Sequence, residues 1–171
     1  MPWPEEEIAM NVIEDCCREL KREAGSTRTL LERLPEDKFS WRPHPKSMSL
    51  GQLALHTAGV PGGLALLLNE AVSEVRVVPL PEPTTRQELL EALEWSVSLA
   101  ESKLREWGED GLRDTWKLVS KGETVLEAPR IDMVRTLMFN HIYHHRGQLT
   151  IYLRLLGIPV PGIYGPSADE Q

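Results

Sequence analysis

The spacing of prolines constrains this chain more than any other feature. Residues 5 to 34 contain none, and Ile8, Val12, Cys16 and Leu20 recur there at four-residue spacing, followed by Leu30, Leu31 and Leu34. A proline ring is tolerated in the first turn of a helix and disruptive in its interior, so a long proline-free stretch with a helical apolar period predicts a helix. Pro4 with Glu5, Glu6 and Glu7 suits its first turn, where negative charge meets the positive end of the helix dipole. Pro35 ends it.

Residues 35 to 48, "PEDKFSWRPHPKSM", then form a proline-punctuated connection. Ser49 is the expected N-cap of helix two, whose apolar positions begin at Leu50, Leu53 and Ala54. Pro61-Gly62-Gly63 predicts a kink or break one turn beyond His56. The loop "VVPLPEPT" leads to Thr85-Arg86-Gln87-Glu88, a capping-box pattern opening a third helix that runs to about Trp107 and stops at Gly108. Residues 114 to 128 predict a short hairpin or extended excursion. The longest helix follows, from about Ile131 to Leu156, closed by Gly157 and Pro159. The expectation is one all-α domain spanning residues 1 to 171: a four-helix bundle with an excursion before the last helix, and a tail whose Ile158, Val160, Ile163 and Tyr164 pack down.

A net charge of −7 and the lack of a basic run argue against nucleic acid as a direct partner. The N-terminus, "MPWPEEEIAM", lacks the basic and apolar regions of a signal peptide. The longest apolar stretch, around "GVPGGLALLL", reads as too short and too glycine-rich to cross a bilayer, so no membrane association is expected. The only cysteines, Cys16 and Cys17, are neighbours and cannot readily bridge without strain, which fits a reducing cytoplasm. Both are expected to pack on a helix, with a reactive thiol left open.

Five histidines are present, and three of them fall within "NHIYHHRGQL". At about 100° per residue, His141 and His145 lie about 40° apart on one helix face, and Gln148 and Tyr152 share that stripe. His144 is displaced about 60° to the other side. The H-x3-H spacing offers two imidazoles to one metal, and the missing Glu after the first His removes the metalloprotease motif. His56 lies in the apolar segment "LGQLALHTAG", where a buried imidazole needs a partner. From the residues alone that partner is either a neighbouring carbonyl or a metal shared with the H-x3-H pair.

The pairing of "LALHTAG" with "NHIYHHRGQLTIYLRLLGIPVPGIYGPSADE" resembles the DinB-like family, a group of helical bundles that also includes the YfiT-like metal-dependent hydrolases. The resemblance is closest from about Phe39 to the end and covers helix one by position only. It implies a bundle in up-down-down-up order, often a homodimer, with three histidines holding one divalent metal. Those positions here are His56, His141 and His145.

Three neutral imidazoles would leave the charge of the ion uncompensated and a coordination position open. Such a site lowers the pKa of bound water to about 7, or binds a low-molecular-weight thiol of free pKa ~8.5 as its thiolate. Relatives resembling thiol-dependent transferases, which use bacillithiol or mycothiol, favour a thiol S-transferase acting on a small-molecule substrate. A hydrolase using metal-bound hydroxide is the enzymatic alternative, and a noncatalytic, stress-induced metal-binding bundle is the other. Nickel and zinc are the foremost metals, although imidazole also suits iron and copper.

No general base is apparent. Gln52 and Gln148 are expected to orient substrate or water, His144 is a candidate neighbour of the ligands, and Tyr152 a hydrogen-bond donor or a core side chain. Trp41 and His44 are candidates for the pocket mouth, with solvent exposure favoured for His44. Arg146, about 140° from His141, is expected to make a salt bridge or subunit contact.

Overall fold

A computed structural model describes residues 11–75 and 80–170. Helix α1 (Val12–Leu31) starts at Asn11, whose side-chain oxygen accepts from the Glu14 amide at 3.1 Å. The first turn expected at Pro4 to Glu7, and Ile8 with it, lies outside the described residues. Within α1, Ile13, Cys16, Cys17, Leu20, Glu23, Thr27, Leu30 and Leu31 are buried along one face. Both cysteines are free, and burial pushes their thiols up in pKa, which disfavours the reactive thiolate.

Helix α2 (Leu50–Asn69) opens as the sequence predicts, with Ser49 and Gln52 forming a reciprocal capping box. The expected break at Pro61-Gly62-Gly63 does not occur: α2 continues through Pro61 to Asn69. Helix α3 explains how. The Gly62 amide donates to Ser96 Oγ at 2.7 Å, and a Cβ on Gly62 would stand 2.8 Å from the Ser96 backbone. The proline–glycine pair thus marks a close helix crossing, with the local polar group satisfied from the neighbouring helix. By length and a mean hydropathy of 1.2, α2 could cross a membrane, contrary to the expectation from its glycines. Over half of that window is buried inside the bundle, as in a core helix.

Helix α3 (Arg86–Arg113) is capped by Thr85, whose side chain accepts from the Glu88 amide. Gly108 interrupts it as expected, at φ +62° and ψ −177°, a conformation that glycine adopts without a Cβ clash. The stop is not final, because helical turns resume through Arg113.

The excursion is a hairpin and more. With β1 as Val72–Glu74, strands β2 (Thr115–Ser120) and β3 (Glu123–Pro129) pair antiparallel across Lys121-Gly122, both at positive φ. Strand β1 pairs parallel to β2, which makes a three-stranded sheet. The all-α expectation is therefore corrected: the fold is mainly helical, with a small mixed sheet at its side.

The final helix also departs from a uniform rod. It consists of α4 (Arg130–Met133), a π-helical segment (Val134–Phe139) and α5 (Asn140–Leu155). Its end is as expected, with Gly157 at φ +71° and the Ile158 amide reaching back to the Leu153 carbonyl at 3.0 Å. One core cluster gathers Leu20, Leu68, Leu104, Trp116 and Phe139; the other gathers Leu31, Leu53, Leu89, Leu149 and Leu153.

Arg146 ties these parts together. Only 2% exposed, it donates to the Glu23 carboxylate at 2.6 Å and to the Glu23 carbonyl at 3.0 Å. Tyr164 of the tail bonds the same pair, so the salt bridge expected for Arg146 is present; Ile158 and Val160 pack against the core as expected, whereas Tyr164 stays largely exposed. Removing one partner of a buried pair leaves a desolvated charge. Arg146→Ala is therefore expected to lower unfolding free energy by ~3–5 kcal/mol. Arg146→Met combined with Glu23→Leu should recover most of that loss, as urea denaturation would measure.

Candidate metal centre

Helices α2 and α5 bring three imidazoles together at the downstream end of the π-helical segment. His56 comes from the second turn of α2, and His141 and His145 from successive turns of α5. Their ligand atoms lie within 4.8 Å of one another. His56 Nε2 is 3.2 Å from His141 Nε2, which is 2.7 Å from His145 Nε2. The H-x3-H pair and the upstream histidine thus form one cluster.

The opposite edges of two rings are already committed. His145 Nδ1 is 2.7 Å from Gln148 Oε1, an oxygen that can only accept, so Nδ1 carries the proton. The Leu137 backbone, one turn back, also acts on the His141 ring and favours its protonated form. The Nε2 atoms of His141 and His145 stand 2.7 Å apart, and where both rings are neutral with Nδ1 protonated their lone pairs face each other. Two such lone pairs repel, and a shared cation resolves the conflict. The donor set therefore fits a divalent ion of the kind imidazole binds, and Gln148 supplies the outer contact that fixes a ligating ring.

Electrostatics keep the three rings neutral. Burial, then the proximity of His145 and His141, lowers the His56 pKa from 6.5 to about 4. Burial is also the first cause of the lowered values at His141 and His145, with the Leu137 and Gln148 hydrogen bonds opposing it. Neutral imidazole is the form that ligates a metal.

A cavity of about 420 Å³ opens beside the cluster. His56, His141 and Gln52 stand at its polar edge, while Leu55, Val60, Leu64 and Leu67 of α2 and Leu80 and Pro81 of the following loop form apolar wall. Gln52 is already occupied by the Ser49 amide and by the Leu80 carbonyl, to which it donates at 3.0 Å. It therefore anchors the loop against α2.

The other candidates take different places. His144 is exposed, its ring centroid 5.0 Å from that of His145, and it is outside the ligand cluster. Tyr152 donates to the Met48 carbonyl at 3.3 Å and meets Trp41 edge-on, so both aromatics pack at the loop–helix junction and neither lines the cavity. His44 is exposed, and its Nδ1 accepts from the Lys46 amide. Sequence reasoning missed the Leu137 backbone contact and the Leu80-Pro81 wall. The first sits one helical turn before His141 and was open to discovery from spacing alone; the second depends on tertiary packing.

The family model described as DinB family matches residues 10–171. The chain belongs to the DinB family. Within the family's reach is the YrdA protein of Bacillus subtilis strain 168, 26% identical over 149 residues, covering 86% of this chain and 85% of that protein. A crystal structure of a DinB-like protein from Bacillus cereus ATCC 10987 superposes with a TM-score of 0.70 at 24% identity, covering 88% of this chain and 97% of the other. The DinB-like YjoA protein of Bacillus subtilis gives 0.63 at 17% identity, with 85% and 96% covered. At those identities the two structures speak for the DinB fold alone.

Two outcomes follow for this DinB protein. His56→Ala leaves two ligands from one helix and should lose most bound metal, whereas His144→Ala should retain one ion per chain, as elemental analysis would show. The second concerns pH. Unfolded histidines take up protons near 6.5, while the folded cluster resists until lower pH. The stability of metal-free protein should therefore fall as pH drops from 6.5 towards 4, with the loss from the ion-paired carboxylates Glu19 and Glu23 added at the acid end. Urea midpoints across that range should show a shallower fall in His56→Ala.

Proposed function

We propose that this DinB-family protein is a metal-dependent thiol S-transferase, with His56, His141 and His145 holding one divalent ion, nickel or zinc foremost. The observation that carries the proposal is the convergence of three imidazoles, two of which, His56 and His141, line the edge of an apolar cavity. A divalent ion held there supplies uncompensated positive charge and an open position, which favours the anionic form of a thiol or of water near neutral pH.

The protein's own residues then have defined tasks. Gln148 holds the His145 tautomer, the Leu137 backbone holds His141, and Gln52 fixes the loop beside the cavity. No carboxylate or lysine is among the described residues lining the cavity, so a thiol entering it gives its proton to solvent and not to a side-chain base. The apolar wall disfavours ordered water at the site, which supports transfer to a thiol over hydrolysis.

We also propose a homodimer in the cytoplasm. Trp95, Ile151 and Leu155 are each more than half exposed and offer apolar surface for a second copy, and the free cysteines suit a reducing compartment.

Cobalt- or nickel-substituted protein should develop a sulfur-to-metal charge-transfer band on addition of a low-molecular-weight thiol, and lose it in His145→Ala. The same thiol should conjugate to small electrophiles in a metal-dependent manner. Cleavage of activated esters with an apparent pKa near 7, without a thiol response, would instead assign a hydrolase. Neither response in metal-loaded protein would assign a noncatalytic metal-binding bundle.

A further inference from the structure

Helix α2 contains four glycines, and packing accounts for only two of them. A Cβ on Gly51 would meet Phe39 and Pro83 at 3.0 Å, and one on Gly62 would meet the Ser96 backbone. Gly59 and Gly63 are different. A Cβ on either meets nothing within 4 Å, and neither has the positive φ that would require glycine. A glycine inside a helix is less stable than alanine, so the fold by itself favours a side chain at both positions.

Both glycines line the cavity beside the histidines. They lie one turn apart on the α2 face that carries His56 at one end and Leu67 at the other, so the missing side chains widen the cavity. Its polar side chains are Gln52, His56 and His141, and no charged side chain is among its described lining residues. A carboxylate, phosphate or ammonium group buried along that wall would lose hydration without a counter-charge. An alkyl or aryl group would gain from leaving water. The volume, about 420 Å³, is in the range of small-molecule sites.

We infer that this cavity seats an uncharged alkyl or aryl substituent of the substrate, with Gly59 and Gly63 setting its width and the substrate's reacting atom at the His56–His141 end. The inference rests on reading the histidine cluster as the reactive end.

Straight-chain alcohols from butanol to octanol are suitable probes, titrated into the full-length metal-free chain and followed by amide chemical shifts. Affinity should tighten about fourfold per added methylene, and shifts should map to α2 and Leu80. Octanoate at pH 7 should bind at least tenfold more weakly than octanol. Gly63→Leu should weaken octanol at least tenfold, and Gly59→Ala several-fold, while both variants still take up one metal ion. Octanol binding retained in His145→Ala, even where that variant and the parent show no thiol response, supports the cavity independently of the transferase reading. No binding of octanol, equal binding of octanoate, or unchanged affinity in both glycine variants would overturn the inference. So would conversion of a dimer to a monomer by Gly63→Leu, which would give this face to a second copy of the chain.

Discussion

Three imidazole edges face one another in a half-buried space, and that arrangement is the constraint around which the molecule is organised. Gln148 at the far edge of His145, and the Leu137 backbone beside His141, leave the two Nε2 atoms facing each other 2.7 Å apart. An isolated buried histidine is satisfied by donating to a carbonyl and accepting from a neighbour. Here the outward contacts are made first and the inward ones conflict. Burial sharpens the conflict, because it also disfavours a proton as the shared cation: it is the first cause of the lowered pKa at His141 and His145. A divalent ion brings more charge and removes the repulsion.

The rest of the fold prevents the cluster from relaxing. On one side, Gly62 presses α2 onto Ser96 of α3, and the Ser49–Gln52 capping box fixes the start of α2 only two turns before His56. On the other, Arg146 follows His145 directly and is locked against Glu23 of α1 and Tyr164 of the tail. The π-helical segment ends immediately before Asn140 and shifts the facing of α5 relative to α4, so buried Met138 and Phe139 and the histidine stripe can each meet their partners. Fold stability and ligand placement are thus carried by neighbouring residues on one helix.

Local features were legible from sequence, and distant pairings were not. Ser49, Thr85, Gly108 and Gly157 act within a few residues of themselves, and each is found at a helix cap or break. The histidine cluster was legible because H-x3-H fixes a face and the family resemblance supplied His56. Strand β1 left little trace: it has three residues, only Ser73 is buried, and its partner strand follows an entire helix later. Pro61 misled because its tolerance depends on a hydroxyl from α3, which no window around the proline contains. The π-helical segment likewise reflects what Met138 and Phe139 pack against, while their own sequence is compatible with an ordinary helix.

The most direct test of the central claim is imidazole nitrogen NMR of the full chain with and without zinc. The account predicts that Nε2 of His56, His141 and His145 shifts on binding one equivalent, while Nδ1 of His141 and His145 stays protonated and His144 keeps its free-ring pattern. Ligation through Nδ1 of His145, recruitment of His144 in place of His56, or three rings indifferent to zinc would contradict it.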